Sequence, residues 1–180
     1  TVLSGVVGSS STVGEKLSSL STDAAGSTVI NGGGVYTTQA QTYADNLALG
    51  AGTSLSGSAV STLGTVVGNG NALSVTGNAV FGDGVADTLT GLSSLAVSGT
   101  TVLNTRALST TGAQSYSGVL TLGADSTLSG VGITVGGVLK SDGTNRSLVI
   151  NDAGATVLSG VVGSSSTVGE KLSSLSTDAA

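Results

Sequence analysis

Aliphatic residues alternate with small polar residues along most of the chain, in short stretches that end at glycine, asparagine or aspartate. The segments Leu47-Ala48-Leu49, Leu73-Ser74-Val75 and Leu120-Thr121-Leu122 each place aliphatic side chains at positions i and i+2. A period of two puts both side chains on one face of a β-strand. Pairs such as Asn69-Gly70 and Asp142-Gly143 favour turns between these stretches. The pattern therefore predicts a chain that is nearly all β.

The chain contains a long identical repeat. Residues 1–25, TVLSGVVGSSSTVGEKLSSLSTDAA, recur without a change at residues 156–180, an offset of 155. An identity of this length indicates recent duplication or continuing recombination. We therefore interpret residues 1–155 as one long repeat and residues 156–180 as the start of the next. The chain is expected to be a piece of a longer tandem array.

An older repeat lies inside the long one. Thr37–Gly57, TTQAQTYADNLALGAGTSLSG, aligns with Thr110–Gly130, TTGAQSYSGVLTLGADSTLSG, at an offset of 73 with 12 identities in 21 positions. The long repeat therefore consists of two divergent halves, of 73 and 82 residues.

Two all-β architectures fit repeats of this size. Tandem sandwich domains are one, but aromatic residues make up only 2 % of the chain, and sandwich cores usually need them. The other is a parallel β-solenoid of roughly 18–21 residues per coil. It suits a chain with 30 glycines and no proline, since proline would remove an N–H from the ladder between coils. We predict the solenoid, with about eight coils and roughly 38 Å of axis per long repeat.

The predicted interior is a stack of aliphatic side chains, and the exterior is Ser, Thr, Asn and Gly. The interior positions expected from the pattern are Leu47, Leu49, Leu120, Leu122 and Ile150.

Composition excludes several classes of function. The chain has no Cys and no His, which excludes disulfides, the usual zinc, haem and iron–sulfur sites, and catalytic triads with an imidazole base. Five scattered basic residues and a net charge of −5 argue against nucleic acid as a partner. No apolar run approaches the roughly 20 residues of a membrane-spanning helix. A hydrophobic fraction of 38 % argues against disorder.

Three short motifs resemble known binding or modification sites, and each has a simpler interpretation. Asp83–Leu89, DGVADTL, resembles one imperfect copy of a calcium-binding nonapeptide with Asp87 as the ligand. One copy cannot form the stacked half-sites that such calcium needs, so we interpret the segment as an Asp-Gly turn with a solvated Asp87. Gly32-Gly33-Gly34 lacks the Lys-Ser/Thr of a phosphate loop and is interpreted as a flexible turn. Asn145-Arg146-Ser147 is a glycosylation sequon of the kind expected by chance. We assign no cofactor, no metal ligand and no catalytic residue, with calcium as the weak alternative.

Hydroxyl and aromatic side chains are the other candidates. The pairs Thr37-Thr38 and Thr110-Thr111 would bind ice or carbohydrate if they stacked in flat ladders, and are otherwise typical of a solvated strand. Tyr43 and Tyr116 occupy equivalent places in the two halves; they either stack on sugars or pack at a coil corner. The charged groupings have no spacing that requires catalysis, so we interpret them as solvated loops and predict that the protein is not an enzyme. They are Glu15-Lys16, Glu170-Lys171, Asp83/Asp87 and Lys140/Asp142/Arg146.

The segment TTGAQSYSGVLTLGADSTLSG at Thr110–Gly130, and its partner at Thr37–Gly57, resemble the repeats of large secreted bacterial proteins. These are the filamentous-haemagglutinin-type exoproteins and autotransporter-like adhesins. The resemblance implies a right-handed parallel β-helix that forms a fibre at the surface of a Gram-negative cell, for adhesion or matrix building. Its partners would be neighbouring repeats of the same chain, with lateral self-association or cell-surface glycans in addition. The alternatives are a solenoid that binds ice or carbohydrate and a filament subunit that assembles through open coil ends.

Overall fold

The strands of this protein are short, and its regular secondary structure is almost all β. The computed structural model describes residues 1–9, 12–163 and 167–178. In this part of the chain the only helical segment is a 3-10 turn at Val13–Glu15. The strands are β1 (Val2–Leu3), β2 (Leu20–Ser21), β3 (Ser27–Ile30), β4 (Gly34–Tyr36), β5 (Gln41–Tyr43), β6 (Asn46–Leu49), β7 (Thr53–Thr62), β8 (Val66–Val67), β9 (Leu73–Phe81), β10 (Thr88–Leu92), β11 (Leu95–Val97), β12 (Thr101–Leu103), β13 (Ala107–Thr110), β14 (Gln114–Tyr116), β15 (Leu120–Leu122), β16 (Ser126–Gly130), β17 (Ile133–Val135), β18 (Leu139–Ser141), β19 (Arg146–Asp152), β20 (Val157–Leu158) and β21 (Leu172–Thr177).

The strands stack in three columns, and the columns are the faces of a β-solenoid of about 7 turns. Face 1 is a nine-stranded sheet in the order β1-β3-β6-β8-β10-β13-β16-β19-β21. Faces 2 and 3 belong to a second sheet, whose long strands β7 and β9 run around the corner between them. Face 2 contains β4, β11, β14, β17, β20 and the first parts of β7 and β9; face 3 contains β2, β5, β12, β15, β18 and their second parts.

Each described strand pairing is parallel, which confirms the solenoid and shows that the sandwich alternative is wrong. In a solenoid the chain completes a full turn before it pairs with itself again, so paired strands are parallel. In a sandwich the paired strands are mostly antiparallel.

Coil lengths are less uniform than the sequence predicts. Partners on face 1 are separated by 19 residues at Val29–Ala48 and by 27 at Leu148–Leu175. The two longest coils are those that contain the identical segments 1–25 and 156–180. Because these coils hold long loops, residues 1–155 make about 7 turns from β1 to β19, whereas eight coils were expected for one long repeat.

The interior is a continuous stack of aliphatic side chains. The five interior residues expected from the pattern are each at most 1 % exposed, which confirms them. On face 1, strand register places one aliphatic side chain directly above another through six consecutive coils. This column is Leu47, Val66, Leu89, Leu108, Leu128 and Ile150.

Glycines form a ladder at the corner between faces 2 and 3. A Cβ built on Gly118 would lie 2.5 Å from the carbonyl oxygen of Gly99, and one built on Gly99 would likewise overlap the carbonyl oxygen of Gly77. Gly137 and Gly160 extend the ladder in the same way, each against the glycine one coil earlier. Only glycine allows backbones to approach this closely, so the ladder sets the sharpness of this corner.

Candidate functional site

The repeated Thr-Gln-Tyr pattern forms a buried hydrogen-bond network. Tyr43 Oη donates to Gln41 Oε1 at 2.9 Å, and Gln41 Nε2 donates to the carbonyls of Val35 at 3.0 Å and Ser56 at 2.9 Å. Thr37 Oγ1 lies 3.4 Å from Gln41 Nε2 and donates to the Gln39 carbonyl at 2.7 Å. These polar groups are thus satisfied inside the coil, which makes the motif a structural unit.

The second half contains the same network around Tyr116. Tyr116 Oη donates to Gln114 Oε1 at 3.0 Å, and Gln114 Nε2 donates to the Ser129 carbonyl at 2.8 Å. Thr110 Oγ1 accepts from Gln114 Nε2 at 3.3 Å and donates to the Gly112 carbonyl at 2.6 Å. Both tyrosine rings are fully buried, and burial raises the pKa of Tyr43 and of Tyr116. The interpretation that these rings stack on sugars is therefore wrong.

The threonine pairs do not form a flat array. The first residue of each pair, Thr37 or Thr110, is buried in the network, and only Thr38 and Thr111 are exposed. The outward side chains that follow one another along face 2 are also mixed in type. They are Ser54, Ser74, Ala96, Ser115, Thr134 and Val157.

Within the Asp83–Leu89 segment, residues 83–87 form a loop between β9 and β10, and the last two residues begin β10. Asp87 Oδ2 accepts hydrogen bonds from the backbone amides of Asp83 and Gly84, both at 3.2 Å. The carboxylate thus closes its own turn, which fits the Asp-Gly turn expected, although Asp87 is partly buried and not fully solvated. Within the described residues, no three acidic side chains come close enough together to hold a metal ion.

The glycine triplet Gly32–Gly34 is tightly packed, which differs from the flexible turn expected. A Cβ on Gly32 would overlap the Gly5 backbone of the preceding coil, and Gly34 begins β4. Asn145 of the sequon lies exposed in the loop before β19.

Sequence reasoning missed two buried carboxylates. Asp45 is 3 % exposed and accepts from Thr22 Oγ1 at 2.7 Å and from Thr28 Oγ1 at 2.8 Å. Asp152 is 2 % exposed and accepts from the amides of Gly132, Ile133 and Gly154 and from Thr156 Oγ1, at 2.7 to 2.9 Å.

Burial opposes ionisation of Asp152, but its four hydrogen bonds outweigh that effect and lower its pKa to about 2. Both carboxylates connect neighbouring coils. Asp45 directly precedes β6 and Asp152 is the last residue of β19, so an aspartate at the end of a strand is the signal in the sequence that marks them.

The charged residues near the C-terminal end pair with one another. Lys140 Nζ lies 2.8 Å from Glu170 Oε1, and Arg146 makes a two-pronged contact with Asp142 at 3.1 and 3.2 Å. Asp142 and Arg146 are therefore together as expected, whereas Lys140 pairs across coils with the second copy of the 25-residue segment. The Arg146 guanidinium lowers the pKa of Asp142.

Both ends of the solenoid expose apolar side chains. Val2 and Val6 are 61 % and 60 % exposed at the N-terminal end. Val161 and Val168 are 62 % and 95 % exposed at the other end. These residues lie in the terminal coils, where one edge of each strand has no neighbouring coil in the described chain.

Comparisons with protein-family models, with curated proteins and with solved structures find no match for this chain. The resemblance to filamentous-haemagglutinin-type proteins therefore stays a prediction, and the β-solenoid fold stands on the structure. Among the described residues, no helix has the length and apolar character needed to cross a membrane.

Proposed function

We propose that this chain is a structural module of a very long extracellular tandem-repeat protein, in which many copies join into one stiff solenoid fibre that supports adhesion or a surface matrix. The observation that carries the proposal is the unchanged recurrence of residues 1–25 at 156–180, in the terminal coils of a fold that grows by adding coils.

The mechanical role follows from the way in which the coils contact each other. Backbone hydrogen bonds between parallel strands run along the fibre axis on all three faces, and the buried aliphatic column runs beside them. A pull along the axis therefore loads many parallel bonds at once. Cleavage by a protease requires local unfolding of a coil, and these contacts oppose it.

The mixed outward side chains favour the fibre over the alternative of an ice- or carbohydrate-binding surface. Binding of that kind needs evenly spaced threonines across several coils, whereas the face 2 column alternates among Ser, Ala, Thr and Val.

Electron microscopy of the native material tests the proposal. Antibodies raised against residues 26–155 should decorate thin rods on intact cells, and brief protease treatment of the cells should leave the rods in place. Long-read sequencing of the gene should show many 155-residue copies in one reading frame. Labelling confined to the cell interior, or compact particles in place of rods, would contradict the proposal.

A further inference from the structure

The identical 25-residue segments contact the solenoid through opposite edges. The N-terminal copy pairs with the coil that follows it. Its partners are Val2 with Val29 on face 1, Val7 with Val35 on face 2 and Leu20 with Gln41 on face 3.

The C-terminal copy pairs with the coil that precedes it. Its partners are Val157 with Thr134 on face 2, Val162 with Leu139 on face 3 and Leu175 with Leu148 on face 1. Each of these three positions thus lies one face further around the solenoid than its identical counterpart in the first copy. All three move in the same direction.

The two arrangements are compatible because they use different edges of the same coil. Given the tandem array proposed above, we infer that residues 156–180 form a joining coil, which the next repeat's copy of residues 27–42 covers. Each 155-residue repeat then advances the solenoid by seven and one-third turns. Successive repeats are consequently rotated by one face.

Counting strand steps along the three columns gives the fraction of a turn. The face 1 column that starts at β3 reaches the next repeat's copy of β5 after eight steps. The columns that start at Val35 and Gln41 reach the copies of Ile30 and Val35 after seven steps each. A path through all three columns therefore takes 22 turns for three repeats.

The half-repeats support the same count from inside the described structure. Tyr43 lies on face 3, but its equivalent Tyr116 lies on face 2, and eleven strand segments separate them. Eleven segments are three and two-thirds turns. Two such halves give 22 segments, which are seven and one-third turns.

Side chains at the joining coil fit this arrangement. Lys140 pairs with Glu170, and the Asp152 amide donates to Asp178 Oδ1 at 3.0 Å. The identical residues of the first copy, Glu15 and Asp23, are exposed. In the array the preceding repeat's Lys140 and Asp152 face them.

The corner glycines also continue through the joining coil. Gly160 sits against the Gly137 carbonyl, and the identical Gly5 sits beneath Gly32 of the following coil. The next repeat's copy of Gly32 therefore extends the ladder.

The rotation by one face also sets the axial period of the array. A side chain present once per repeat lies on each of the three faces in turn. It returns to its first face after about 106 Å, at about 4.8 Å per turn.

Disulfide cross-linking tests the register of the joining coil. In a chain of two repeats, the pair Thr134→Cys with Val157→Cys should form a disulfide, because in-register strands place Cα atoms within disulfide range. The pair Thr134→Cys with Val161→Cys should stay reduced. The alternative is an array in which each repeat makes a whole number of turns. The joining coil would then lie on the same faces as residues 1–25 do, and Val161 would take the place beside Thr134.

The other edge of the joining coil is tested with a separate cysteine pair, in a second variant of the two-repeat chain. A cysteine at Val157 and one at the second repeat's copy of Val29 should also form a disulfide. Cross-linking of Val161 in preference to Val157, or no cross-link to the Val29 copy, would overturn the inference. Both outcomes are read on purified protein, so they are independent of whether the fibre lies on the cell surface.

Discussion

The glycine ladder makes the replacement Gly118→Ala the most direct test of the corner. The new Cβ would lie 2.5 Å from the Gly99 carbonyl oxygen and 2.7 Å from its carbon, so the backbones of two coils have to separate. Overpacking of this kind costs about 1–3 kcal/mol, and the rigid backbone on both sides places the cost near the upper end. The reduced freedom of the unfolded chain returns about 0.4–1 kcal/mol. We expect a net loss of about 2 kcal/mol.

Gly52→Ala is the matched control. No atom lies within 4 Å of the added methyl, and the residue is exposed in the turn before β7. This variant should be neutral or up to about 1 kcal/mol more stable than the parent.

Guanidinium unfolding followed by far-ultraviolet circular dichroism measures the difference. With a slope of about 4 kcal/mol per molar, a loss of 2 kcal/mol lowers the midpoint by about 0.5 M. If Gly118→Ala unfolds at the same midpoint as Gly52→Ala, the close approach of the coils does not limit the corner and the reasoning is refuted.

Three further predictions concern buried polar groups, and unfolding curves check each. Thr101 Oγ1 is buried without a partner, so Thr101→Val should stabilise by about 1 kcal/mol, whereas Thr110→Val should destabilise because it removes two hydrogen bonds. Tyr116→Phe should cost about 1–3 kcal/mol because it leaves the buried Gln114 Oε1 without its donor. The pKa of Asp152 is lowered to about 2, so its contribution of at most about 2 kcal/mol is present above pH 4 and is lost as the pH falls towards 2. The stability difference between the parent and Asp152→Asn should therefore shrink over that range.

Opposite results would contradict these arguments individually. Equal effects of the two threonine replacements would mean that hydrogen bonding does not distinguish the sites. A stability difference for Asp152→Asn that stays constant from pH 7 to pH 2 would mean that the backbone contacts do not lower the pKa of the buried Asp152 carboxyl group.

The lone hydroxyl of Thr101 shows why equivalent residues of the two halves have different environments. Its counterpart Thr28 donates to Asp45, and the residue equivalent to Asp45 in the second half is Gly118. Because the halves differ by one face, Gly118 lies at the glycine corner, where a Cβ does not fit. Position 118 therefore has no room for the aspartate that would satisfy Thr101.

The interior residues were predictable because a strand has a period of two. Alternation at Leu47-Ala48-Leu49 and Leu120-Thr121-Leu122 assigns inward and outward positions without knowledge of the neighbouring coil. The burial of Tyr43 was not predictable in the same way. The alternation leaves open what an aromatic residue meets. Tyr43 Oη donates to Gln41, and Gln41 in turn donates to the carbonyls of Val35 and Ser56, which belong to other strands.

The sequence by itself determined an all-β solenoid, an aliphatic interior and a chain built from two nested repeats. Small residues, the absence of proline and alternation at short range are local properties, and they suffice for those conclusions. Only the tertiary structure decided which face each segment occupies. Loop lengths accumulate from coil to coil, so the phase of a segment is fixed only when strands 19 to 27 residues apart have come into register. For that reason one 25-residue sequence lies on different faces at the two ends of the same chain.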